Sequence, residues 1–208
     1  MRFIFFTFFF LLFMNLVFAQ PGQKTFWQLS GPEKCWVVFH PFIANKARKI
    51  TAFAQTVSHE MKSDTLLDGD ESGGQLDAFR HSFWMSLLVQ KFSRRKAISL
   101  GKAHEKGNYR KFKNQKLDEE RSMPDSVSGV MDLFNNEKGV SIGMANKTLS
   151  ADSLKILVGT KILNGEMKII SKNKEGLYLD CDGNVLDVSK SIRIWGIPKC
   201  LISSDRVH

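Results

Sequence analysis

Cysteine is scarce in this sequence: three in 208 residues, Cys35, Cys181 and Cys200, with no CxxC pair among them. That excludes a cysteine-rich zinc site and a dithiol redox motif. At most one internal disulfide can form and one thiol is left over; Cys181 and Cys200, which flank a predicted hairpin and tail, are the favoured pair, with Cys35 the remaining contender. A bilayer-spanning run is missing too, because the apolar stretch from Phe3 to Phe18 is shorter than the roughly 20 residues required and Asn15 interrupts it. No internal repeat and no linker divides the chain. One compact domain is therefore expected, and a disordered or fibrous chain is not.

What the sequence does hold is unevenly placed. Eight of the 17 phenylalanines precede residue 20. Arg2, the apolar run and the small residues of Val17-Phe18-Ala19 read as a signal peptide over 1–19, with the mature chain starting at Gln20. Export to a periplasmic or extracellular location is the expectation, and with no cysteine at the cleavage point a lipid anchor is not. The rest divides into a helical segment over 20–170 and a β-hairpin with a tail over 171–208.

Charge is just as local. Between Lys91 and Lys116 ten basic residues face the single acid Glu105, an excess equal to the net charge of the whole chain, +9. Arg94, Arg95, Lys96 and Lys102 are the candidate anion-binding residues of this segment, suited to an anionic small molecule, lipid or polymer. A solvated helix face is the plain alternative. Only Tyr109 and Phe112 accompany the lysines, so a stacking platform for nucleic acid is not expected.

The fold class that follows is mainly α: a single multi-helix domain with a small C-terminal β-hairpin. Ser30-Gly31-Pro32-Glu33 has the form of a helix start, a hydroxyl cap followed by proline and an acid. Helical spacing predicts further helices from Phe42 to about Met61, Gln75 to Phe92 and Arg94 to Phe112, another opened by Pro124-Asp125-Ser126 and running to about Ala145, and a short one from Leu154 to Leu163 begun near Ser150 or Asp152. The third of these six is apolar around most of its circumference, which predicts burial. The acidic loop Ser63–Gly74 lacks the EF-hand order and is expected to be solvated. Around Asp182-Gly183 the period changes to two, predicting a hairpin of 176–188.

Polar residues on three of these helices stand where core is expected. Asp77 and His81 are four apart and share a helical face, with Arg80 and Trp84 alongside. His104-Glu105 follows Gly101 by one turn. Ser128, Asp132, Asn135, Asn136 and Gly139 form one stripe, built from poor helix formers that an ordinary solvated face would not use. Imidazoles and carboxylates from separate helices are the donor types that hold a divalent metal, which gives His81, His104 and Asp132 as candidate ligands. Asp77, His81 and Glu105 are the candidate catalytic residues, with a carboxylate as the base for water attacking an ester or phosphodiester. Arg80, Trp84, Asn135 and Asn136 are placed as supporting residues. The rival for the same residues is a buried network, Asp77 to His81 and Asn136 to a backbone group, that only fixes helix packing. A non-catalytic binding module using segment 91–116 is the rival function. Neither His59-Glu60 nor His104-Glu105 completes an HExxH.

At these residues a resemblance enters. Asp77-Ala-Phe-Arg-His-Ser-Phe-Trp84, Ala103-His-Glu105 and Met131-Asp-Leu-Phe-Asn-Asn136 with Gly139 resemble the three motifs of a bacterial domain-of-unknown-function family, numbered 6973. Pro32-Glu33-Lys34 with Trp36 and His40-Pro41-Phe42 resembles its exported Bacteroidetes-type members. The resemblance spans roughly residues 30–145 and implies a helical domain with no established activity. Fragments are also similar to two other families. Arg80-His81, His104-Glu105 and Asp132 resemble the motif order of HD-type phosphohydrolases, with glutamate in place of aspartate. Arg80-His81 among aromatics resembles the active helix of secreted bacterial phospholipases A2, with Ser82 in place of the aspartate that follows there.

Overall fold

Helix starts in this chain are set by local hydrogen bonds. In the computed structural model, which describes residues 24–118, 122–188 and 194–206, Ser30 and Glu33 form a reciprocal capping box. The Glu33 carboxylate accepts from Ser30 N at 2.8 Å and opens α1 (Gly31–Phe39). Pro41 then starts α2 (Pro41–Met61). The predicted leader lies outside the described residues.

α3 (Gln75–Lys91) begins differently, because the residue before it is Gly74, which has no side chain to cap with. Asp68 supplies the cap from upstream, its carboxylate accepting from Gln75 N at 2.7 Å and Leu76 N at 3.2 Å. The acidic loop thus organises the helix that follows it. α4 (Arg94–Lys113) comes next. Asp125 caps α5 (Ser126–Ala145) through Val127 N and Ser128 N, and Ser150 caps α6 (Ala151–Leu163) through Ser153 N.

α3 is the central element. All of its residues except Arg80, Gln90 and Lys91 are buried. α2 packs on it through Ala47, Ala54, Val57 and Met61, and α6 through Leu154, Val158 and Ile162. α5 approaches most closely. A Cβ on Gly139 would sit 2.2 Å from Ser82 O, and one on Gly143 2.4 Å from Ser86 O. The Ser86 hydroxyl lies 2.8 Å from Gly139 O, so a buried polar contact crosses the same seam.

α1 rests on α4, with Trp36 Nε1 donating to Ser99 Oγ at 2.8 Å. α1 and α2 share little contact beyond their corner at His40-Pro41. Among the described residues, six α-helices and a two-stranded antiparallel pair make the chain mainly α, as the sequence indicates. Among the described residues, no helix is long and apolar enough to cross a membrane.

The paired strands are not those the sequence suggests. β1 (Lys168–Ile170) and β2 (Leu201–Ser203) form the sheet, Ile169 opposite Ile202, while 176–188 contributes only isolated bridges such as Leu179–Val185. The Asp182-Gly183 turn is present, with Gly183 at φ 86°. Its arms lack a face to bury, since Leu177 and Val185 are exposed whereas Ile169 and Ile170 enter the core. The tail is stitched by a Cys181–Cys200 disulfide, and Cys35 is free and exposed.

Candidate metal centre

The seam between α3 and α5 gathers three residues able to act as metal ligands. One donor atom each from Asp77, His81 and Asp132 lies within 4.8 Å of the others, and all three residues are buried. His81 Nε2 is 3.5 Å from Asp77 Oδ1 and 3.4 Å from Asp132 Oδ1. The other ring nitrogen, Nδ1, faces Asn136 Oδ1 at 3.3 Å. A carbonyl oxygen can only accept, so Nδ1 donates to Asn136 and Nε2 is the ring nitrogen left facing the two carboxylates. This is how histidines that bind metals are oriented. Asn136 therefore reaches His81, where the network reading had it reach a backbone group.

Asp77 is held from two sides, its Oδ2 by Gly73 N at 2.7 Å and its Oδ1 by Arg80 Nη2 at 2.5 Å. Burial pushes its carboxyl above the usual range, and the Arg80 charge opposes that. Two carboxylates buried side by side repel unless a cation or a shared proton lies between them. The arrangement suits a cation.

His104 is not one of the three converging donors. Its Nδ1 meets Glu33 Oε1 at 3.0 Å, its ring centroid is 6.1 Å from that of His81, and its edge packs on Trp84. Burial pushes the Glu33 carboxyl up, but the hydrogen bond and charge of His104, with the Ser30 contacts, hold it at about 2. The ligand atoms that converge thus belong to Asp77, His81 and Asp132, and the sequence-derived set of His81, His104 and Asp132 differs in one member. The reason is the capping carboxylate of α1, which stands opposite His104.

A polar cleft of about 460 Å³ opens over the centre, and Arg80, His104, Glu105 and Lys102 line it. Glu105 is buried; Asn108 Nδ2 donates to its Oε2 at 3.3 Å, and its Oε1 has no hydrogen-bond partner among the described residues. Burial pushes its carboxyl up. Of the other supporting residues, Trp84 donates to Thr51 Oγ1, and Asn135 clamps β1 by exchanging two hydrogen bonds with the Lys168 backbone. Of the anion-binding candidates, Lys102 alone lines the cleft; Arg95 and Lys96 are exposed, and Arg94 pairs with Glu137 at 2.8 Å.

Sequence reasoning missed the tail. Lys199 and Tyr178 line the cleft: Lys199 Nζ bonds the Asp125 carboxylate at 2.5 Å and lies 3.8 Å from the Tyr178 ring centroid. Trp195 wedges against Tyr109 and Phe112 of α4. Asp125 was readable as a helix cap, but nothing in the tail marked Lys199.

The sequence model of a family described as "Domain of unknown function (DUF6973)" matches residues 34–166, well over half of the chain. The chain belongs to this family. The match takes in Asp77, His81, Glu105, Asp132 and Asn136, whereas Glu33 and the tail residues Tyr178 and Lys199 lie outside the DUF6973 segment. No curated protein and no solved structure matches.

Proposed function

We propose that this DUF6973 protein is an exported hydrolase, dependent on a divalent metal, that acts on an anionic phosphate or lipid ester. The observation that carries the reading is the convergence of Asp77, His81 and Asp132, with His81 oriented by Asn136. These three residues would hold the ion, which when bound lowers the pKa of a coordinated water and polarises an ester oxygen.

The chain supplies the rest. Asn136 keeps the His81 proton on Nδ1, and Arg80 and Lys102 orient the anionic oxygens of the substrate in the cleft. Glu105 Oε1 takes the proton of the attacking water and returns it to the leaving oxygen. A raised pKa suits both halves of that task. The signal-like segment 1–19 supports export.

Metal analysis tests the reading. Purified protein equilibrated with zinc, manganese or calcium should retain about one ion per chain. Asp132→Asn and His81→Ala should lose it, while His104→Ala retains it. A wild-type chain that retains none refutes the metal-dependent reading; anion binding abolished by neutralising Arg94, Arg95 and Lys96, but untouched by His81→Ala, establishes the binding module instead.

A further inference from the structure

A second cavity, of about 350 Å³, lies among α1, α2, α3 and α4 and shares Arg80, His81 and His104 with the polar cleft. Its lining is mostly apolar, with Trp36, Val37, Ala44, Ala47, Trp84 and Leu100 among the residues that face it. Both indole N–H groups are bonded, to Ser99 and Thr51, so the rings offer the cavity apolar surface. Its size falls in the range of small-molecule sites, roughly 300–1,000 Å³. The cavity exists because α1 packs on α4 and α2 on α3 with little contact between them.

The surface next to it is unusual for a water-soluble face. Trp27 and Val38, which follow the lining residues Phe26 and Val37, are 81% and 62% exposed, and at the α1–α2 corner Phe39 and Phe42 are 76% and 100% exposed. From Lys24 to Lys49 the chain carries Lys24, Lys34, Lys46, Arg48 and Lys49 against one acid, Glu33, which is paired with His104. Exposed aromatics set among cations match the boundary of an anionic bilayer, where rings enter the acyl region and cations meet head groups.

We propose that this cavity takes the acyl chain of an anionic membrane lipid, with the α1–α2 corner seated on the bilayer and the lipid head group brought to the Asp77–His81–Asp132 centre. Acyl binding and docking stand on the cavity and the corner; the statement that the bound lipid is the substrate rests on the hydrolase reading.

Tryptophan fluorescence tests it, because Trp36 and Trp84 line the cavity. In a Trp27→Phe background, vesicles of phosphatidylcholine and phosphatidylglycerol with dibrominated chains should quench emission saturably. Ala44→Phe, which fills the cavity, should remove the quenching yet leave sedimentation with vesicles intact. Phe39→Ser with Phe42→Ser should weaken sedimentation roughly tenfold. These two positions are exposed, so the double variant keeps the proposal testable if Ala44→Phe fails to fold, as its circular dichroism would show. Asp132→Asn should lose metal and keep quenching, so failure of the metal reading is separable from failure of this one. Vesicle binding without quenching, or quenching unchanged by Ala44→Phe, overturns the acyl site. Quenching by dispersed dibrominated fatty acid without vesicle binding overturns the membrane source.

Discussion

Two helix pairs in this protein meet in opposite ways. α3 and α5 touch backbone to backbone across Gly139 and Gly143, leaving no room for a single added methyl group. α1 and α2 join at a corner and otherwise stand apart, leaving a cavity and a rim of exposed phenylalanines. The difference suits the two duties proposed for them. A metal centre needs ligands held within fractions of an ångström, and a seam without slack provides that. A site for a flexible apolar chain needs volume and an entrance, which come from helices that do not interlock.

The largest test of the contrast is to loosen the seam. Gly139→Ala should destabilise the protein by about 3 kcal/mol in denaturant titration and disrupt metal binding, because the new Cβ collides with the Ser82 backbone. Gly129→Ala on the same helix, with nothing within 4 Å of the added Cβ, should instead stabilise by about 0.5–1 kcal/mol. Equal effects at the two glycines would show that the seam is not tight.

The foot of α1 is next. The folded Glu33 carboxyl, at about 2, lies below its ordinary 4.5, so its stabilisation is complete above the ordinary value and is lost as pH falls from there towards 2. On the order of 3 kcal/mol should disappear across that window. Glu33→Gln should flatten this part of the pH–stability curve; an unchanged curve would sink the role of the Glu33–His104 pair.

Glu105 should behave in the opposite sense. Its folded carboxyl is raised by burial, so its contribution is most favourable at low pH and declines as pH rises through the raised value. In metal-free protein Glu105→Gln should raise the unfolding midpoint at pH 8 and leave it unchanged near pH 4. Smallest of all, Phe42→Ser at the open corner should alter stability by less than about 0.5 kcal/mol, since that side chain is fully exposed. A large loss there would mean the corner is packed and not a surface.

Much of the fold was legible in the residues. The Ser30–Glu33 box and Pro124-Asp125-Ser126 announced two helix starts because caps act within one turn, Ser150 or Asp152 marked a third, and the apolar circumference of α3 announced its burial. The stripe from Ser128 to Gly139 marked a special face on α5, since asparagine, aspartate and glycine are costly there without a reason. The strand pairing and the direction of His104 were not legible. The strands that pair are 168–170 and 201–203, because pairing depends on which segments reach the core and the Asp-Gly turn has no core beneath its arms. His104 turned to Glu33, a residue whose capping role hid its second contact.

The sequence alone determined the helices, some of their caps, the buried polar residues and the family resemblance, because these depend on neighbours within a few positions or on motif order. Only the tertiary structure decided which carboxylate joins His81, that the tail closes over the cleft through Lys199, and that a cavity lies behind the same histidines. Those outcomes depend on distances between residues far apart in the chain. Such distances are set by how closely helices can approach, and here the missing side chains of Gly139 and Gly143 decide that for one pair of helices.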